Sequence, residues 1–184
     1  HMEEIQELKE RLGTERPVKW EDFPDIGLYM DQIISYLPRQ LIHYGERESL
    51  TSAMVNNYIK DGVLPRADGK RYFRTHLAYL TAICALKQVL SMKDTGLLLA
   101  AAAQGRTPEE LYDLFRGELD AALTATADSL DGDMWEEELP RLALSLALRS
   151  YADQLACQRM LEILRAHTPG AGEKPEKSRG KSRE

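Results

Sequence analysis

"TSAMVNNYIKDGVLPRADGKRYFRTHL", residues 51–77, decides how this chain is read. It opens on Thr51 and Ser52, whose hydroxyls suit a helix N-cap because they accept backbone N–H groups left unpaired in the first turn. Gly62, with Pro65 just beyond, is the matching stop signal, so a short helix is expected within 49–62. Asp68-Gly69 between polar and aromatic residues is the strongest hairpin signal in the sequence and predicts a small β-hairpin over 65–73. From Arg74 the period becomes helical: Leu77, Leu80, Ile83 or Cys84, and Leu86 recur along a core-facing helix over 74–90.

The same stretch is a charge anomaly. The 184-residue chain has a net charge of −6, yet residues 49–90 hold six Lys and Arg against two acids. Residues 1–48 hold six against eleven, and residues 91–168 seven against fourteen. The protein as a whole repels nucleic acid, while one basic face can still attract it. A lone charge cluster is most simply a solvated face. Here the cluster coincides with a capped helix and a turn, which favours contact with phosphate.

Outward from this stretch the pattern is helical. "EEIQELKERL" (3–12) puts Ile5, Leu8 and Leu12 on one stripe and forms an N-terminal helical arm over 3–19. "WEDFPDIG" (20–27) reads as an extended connector anchored by aromatics, and 28–45 as a helix that Pro38 kinks or restarts. Ser91 with Asp94 starts a further helix, and Thr107-Pro108 with two following acids starts another through 130. Residues 139–167 form the longest helical pattern. Leu142, Leu146, Tyr151, Leu155 and Leu164 read there first as domain core and second as a homodimer surface. The tail 168–184 is rich in Gly, Pro and Lys without an apolar anchor and reads as disordered. The expected fold is all-α with one small β-hairpin: a winged helix-turn-helix domain over 20–103, then a helical C-terminal region over 107–167 for dimerisation or effector binding.

Other classes of function leave no mark. No apolar run approaches the ~20 residues of a membrane span, and no leader pattern is visible. Cys84 and Cys157 lie in apolar helical pattern and read as reduced core residues of a cytoplasmic protein. "DSLDGDMWEEE" (128–138) crowds six acids but lacks the calcium-loop spacing, so it reads as a solvated turn anchored by Trp135. His43, His76 and His167 are isolated from other metal-ligating types, and His76 reads as a surface hydrogen-bonding group at a helix start. With no catalytic pattern, the expectation is no enzyme, no cofactor and no metal.

A capped short helix, a tight charged turn and a longer helix are the wiring of a winged helix-turn-helix, in which the short helix enters the major groove and the wing follows the phosphates. Residues 51–61 then form the recognition helix, offering Thr51, Ser52, Asn56, Asn57, Tyr58 and Lys60. Residues 66–72 form the wing, offering Arg66, Lys70 and Arg71, with Arg74 closing the basic run. Asn56 and Asn57 are the base-reading candidates, because an amide can pair with both adenine edge groups. Tyr58 either packs inward or reaches a phosphate. Tyr72 and Phe73 read as packing of the wing onto the core.

"VNNYIKDGVLP" (55–65) followed by "GKRYFRTHLAYL" (69–80) resembles the recognition helix and wing of MerR-type regulators. Position by position, Val55, Asn56, Asn57 and Tyr58 fall on that family's Leu-Arg-Tyr-Tyr. Gly62 to Pro65 fall on its Gly-Leu-Leu-Pro, and Arg71 and Tyr72 end the wing. The wider stretch 20–103, through Trp20, Pro24, Leu28 to Gln32 and Asn56 to Tyr58, resembles the YkrK-like domain-of-unknown-function family of Gram-positive bacteria. The resemblance implies a bacterial DNA-binding transcriptional regulator whose partners are double-stranded DNA and a second copy of the chain. A small-molecule effector among residues 97–164 is left open. The rival reading is a helical protein-interaction module that reuses the winged scaffold without binding DNA, favoured by the acidic surroundings and by Asn56 standing where the family has Arg.

Overall fold

The computed structural model describes residues 2–46 and 48–168. Their helices are α1 (Met2–Thr14), α2 (Met30–Tyr36), α3 (Ser52–Lys60), α4 (Arg74–Leu86), α5 (Met92–Ala103), α6 (Pro108–Ser129) and α7 (Leu139–His167), with 3-10 turns at Trp20–Asp22, Leu37–Arg39 and Glu136–Glu138. The fold is all-α, with no sheet among the described residues. The disorder expected of 168–184 falls, beyond Thr168, outside the described residues.

Local chemistry sets the helix starts. Thr51 Oγ1 accepts the Met54 N–H at 3.2 Å, Ser91 Oγ that of Asp94 at 3.1 Å, and Thr107 Oγ1 that of Glu110 at 3.2 Å. Each satisfies one of the N–H groups that a helix leaves unpaired in its first turn. At the end of α3 the Val63 and Leu64 N–H groups both donate to the Tyr58 carbonyl, at 2.9 and 3.1 Å. Gly62 turns the chain there with φ +75°, a conformation that costs other residues a steric clash.

α4 is the centre of the molecule. Leu77, Ala78, Leu80, Thr81, Ala82 and Ile83 are all buried, so almost its whole circumference is enclosed. Around it lie Phe23, Leu28, Ile33, Leu37, Leu50, Val55, Tyr58, Leu64, Tyr72, Leu99 and Tyr112. Phe23 and Tyr112 pack with ring centroids 5.0 Å apart, which joins the 20–27 connector to α6. α1 lies along α6: Lys9 Nζ donates to the Ala127 and Leu130 carbonyls at 3.0 and 2.9 Å, closing the C-terminal end of α6 with a cation. Arg16 adds Asp120 at 2.7 Å and Thr124 at 3.1 Å.

Five expectations are corrected. The helix expected over 28–45 ends at Tyr36 and passes through a 3-10 turn at Pro38. Proline has no N–H to continue the ladder, and Gln40 then turns inward, 4% exposed. Its amide accepts from Val18 N–H at 3.2 Å and donates to Thr81 Oγ1 at 3.2 Å and Tyr112 Oη at 3.4 Å. The hairpin is not a ladder of paired strands. Asp68 pairs with Arg71 across a tight turn at Gly69, and Tyr72 pairs with Leu28 of the connector instead. His76 is buried, not a surface group. Its Nδ1 accepts the Phe73 N–H at 2.9 Å, which leaves Nε2 to donate to the Arg66 carbonyl at 2.8 Å. Trp135 is 78% exposed, and Leu130 and Met134 anchor the acidic turn in its place. On α7 only Leu161 is buried, and Tyr151 and Leu155 face solvent, so these two are not domain core.

Candidate functional site

α3 presents two faces. Val55 and Tyr58 point into the core, while Ser52, Ala53, Asn56, Asn57 and Lys60 are exposed. At 100° per residue these five lie on one side of a helix about 13 Å long. That side is polar and ends in a cation.

The turn that follows is held against the body at three points. Tyr72 exchanges both backbone hydrogen bonds with Leu28, at 2.8 Å each. The buried imidazole of His76 joins Arg66 to the first turn of α4. Gly27 leaves no room for a side chain: a Cβ there would lie 2.8 Å from Phe73 Cζ and 2.9 Å from Arg71 Cβ. The connector, the turn and the start of α4 are thereby closely fitted together.

Between α2, the start of α3 and the turn runs an open groove lined by Tyr29, Met30, Asp31, Ile34, Ser52, Ala67, Gly69, Lys70 and Tyr72. Of the residues singled out in the sequence, the structure brings Ser52 and Lys70 together in this groove. Arg71 stands beside it, with its guanidinium 5.3 Å from the centroid of the Tyr29 ring and donating to the Tyr29 hydroxyl at 3.3 Å. Thr51, Asn56, Asn57, Lys60 and Arg66 are exposed but do not line it. Lys60 stands at the opposite end of α3 from Ser52.

Two of the candidate residues make contacts within the chain. Tyr58 is 3% exposed, and its hydroxyl accepts from Lys87 Nζ at 2.7 Å, so it packs inward. Arg74 is turned toward the connector, with Nη1 3.5 Å from the Asp25 carboxylate and Nη2 3.5 Å from the Glu21 carbonyl. Burial pushes the phenols of Tyr72 and Tyr112 above their ordinary range; they are structural groups. Among the described residues no group of three His, Cys, Asp or Glu is placed to hold a metal ion, and no helix is long and apolar enough to cross a membrane. The enclosed cavity between α4, α5 and α6 measures about 10 Å³, the space of one water at most.

Sequence reasoning missed Gly27, Tyr29 and Asp31 as parts of this surface. They lie some forty residues before the turn, and no local pattern links them to it. Their juxtaposition follows from the pairing of Leu28 with Tyr72.

Residues 18–115 match the family described as Domain of unknown function (DUF1836), and the chain belongs to it. The match runs from the connector into the first turns of α6, so it takes in the whole groove and the α4 core. No curated protein matches the chain, and no solved structure does.

Proposed function

We propose that α3 and the 66–72 turn form a double-stranded DNA-binding surface of winged helix-turn-helix type, and that the protein is a transcriptional regulator. The observation that carries this reading is the shared groove: Ser52 at the start of α3 and Lys70 on the turn line one open surface. Arg71 flanks that surface, and the exposed amides of Asn56 and Asn57 continue along the same helix. The three parts correspond to three tasks. A short helix of this size suits the major groove, cations on the turn suit phosphates, and side-chain amides suit base edges. The pairing of Tyr72 with Leu28 and the His76 link to Arg66 tie the turn to the connector and to α4, which supports a wing held in a fixed place. The local excess of Lys and Arg supplies attraction that the acidic remainder of the chain does not.

The test is selection of genomic DNA fragments by the purified protein at low ionic strength, followed by a salt titration of the recovered sites. Enrichment of a common sequence, with affinity falling steeply as salt rises, is the expected result. Failure to retain any fragment at low salt would remove the proposal.

A second reading rests on a different observation. Tyr29, 47% exposed, lines the groove with Asp31, while Phe73, the residue after the lining Tyr72, is 40% exposed and Ile26, three residues before Tyr29, is 66% exposed. An apolar rim with a carboxylate fits a protein partner better than a phosphate backbone. On this reading the scaffold is a protein-interaction module without DNA binding: the purified protein should retain no DNA fragment at low salt, and the rim variant Ile26→Ser with Phe73→Ser should abolish capture of the protein partner.

A further inference from the structure

α7 is a 29-residue helix that the other described residues cover only in part. Its C-terminal half is docked: Leu161 is buried, Gln154 Nε2 donates to the Val89 carbonyl at 3.4 Å, and Arg165 meets the Asp94 carboxylate at 2.6 Å. Around the same helix, roughly a third of a turn away, Leu144, Leu148, Tyr151 and Leu155 are 59%, 57%, 62% and 56% exposed. Their spacing of four, three and four is that of a coiled-coil seam, and at 100° per residue they fall within about 60° of one another. Leu144 and Leu148 also line a shallow groove with Ser145 and Ala152, small side chains that let another helix approach closely.

The stripe has a symmetry of its own. Leu144 and Leu155 are equidistant from the midpoint between Arg149 and Ser150, and so are Leu148 and Tyr151. A two-fold axis through that midpoint would set each residue against a fitting partner: Leu144 on Leu155 of a second copy, and Leu148 on its Tyr151. The charges beside the stripe select the same arrangement. Glu138 lies at the start of the helix, where it faces Arg141 at 4.0 Å; Arg159 and Glu162 lie near the end, and all four side chains are exposed. Antiparallel pairing brings Glu138 of one copy alongside Arg159 of the other, at the flanking positions of the seam, and sets Arg141 diagonally across from Glu162. Parallel pairing would instead stack Glu138 on Glu138 and Arg159 on Arg159, and would align the two helix dipoles.

We propose that the protein is a homodimer whose two copies pair antiparallel along the Leu144–Leu148–Tyr151–Leu155 face of α7. This goes beyond the DNA-binding reading and is tested without DNA. Sedimentation equilibrium of the full chain, well above micromolar concentration, should return twice the 20.9 kDa chain mass. The Leu148→Glu, Leu155→Glu variant should halve that mass with its helical circular dichroism unchanged, since both side chains already face solvent within one copy. The antiparallel register is read in a Cys84→Ser, Cys157→Ser background. There Leu144→Cys with Leu155→Cys should oxidise to a covalent dimer, whereas either cysteine alone should not, because its own copy lies about 16 Å away along the axis. A monomeric parent chain, a dimer that survives the double glutamate change, or single-cysteine variants that cross-link as readily as the pair would each overturn the proposal.

Discussion

Lys87 Nζ donates to the Tyr58 hydroxyl at 2.7 Å and lies 5.3 Å from the centroid of the same ring. The bond joins the buried side of α3 to the last turn of α4, so the tyrosine nearest the exposed amides serves the core. Tyr58→Phe should therefore lower unfolding free energy by about 1 kcal/mol, the net contribution of one such bond. DNA affinity should stay unchanged. Urea denaturation and a salt-controlled binding titration check the two halves; a loss of affinity with unaltered stability would return Tyr58 to the binding surface.

Variants on the turn and on α3 should behave differently from one another. Lys70→Ala and Arg71→Ala should each weaken binding to every DNA sequence and reduce the salt slope by about one, as expected for one phosphate contact apiece. Asn57→Ala should instead flatten the preference among sequences with little change in the slope. Binding isotherms at several salt concentrations, on a selected site and on random duplex, separate the two patterns.

Gln40 is the polar hub of the core, joining the Val18 backbone, Thr81 on α4 and Tyr112 on α6. Gln40→Leu keeps most of the volume but leaves the Val18 N–H without its acceptor. The expected cost is about 2 kcal/mol, that of an unsatisfied buried donor together with lost bonds. Chemical denaturation measures it directly, and a change within about 0.5 kcal/mol would show that the hub is dispensable.

Alkaline pH should act through the buried phenols. Desolvation raises Tyr36, Tyr72, Tyr79 and Tyr112 above the ordinary tyrosine value of about 10. The unfolded chain ionises first, so the stability held by these neutral phenols is intact below that value and is lost as pH rises through their folded-state values. Phenolate absorbance followed beside circular dichroism should show a fraction of the tyrosines ionising only as helix is lost, and Tyr112→Phe should shrink that fraction. Complete ionisation of a still-helical protein would contradict this.

Much of the local architecture is legible along the chain. Thr51, Ser91 and Thr107 mark helix starts because each side chain satisfies a donor within its own first turn. Gly62 and Gly69 mark turns because both take positive φ. The limits of α7 coincide with its apolar pattern, 139–167. Where reading failed, a distant partner had changed the outcome. The hairpin expected at 65–73 gives its outer residue, Tyr72, to Leu28, and His76 turns inward to hold a carbonyl ten residues upstream.

The sequence by itself determined that the chain is helical, where its helices begin, and that its positive charge gathers at 60–74, because hydrogen bonds within one turn and residue charges are local properties. Tertiary structure alone decided which of those charges and aromatics are available. Tyr58 and Lys87 consume one another, Arg74 leans on the connector, and Ser52 and Lys70 come to share a groove with Tyr29. It also decided that the apolar seam of α7 stays uncovered. A helical pattern states that a face is apolar, but burial depends on whether another element reaches that face, and among the described residues none covers the seam from Leu144 to Leu155.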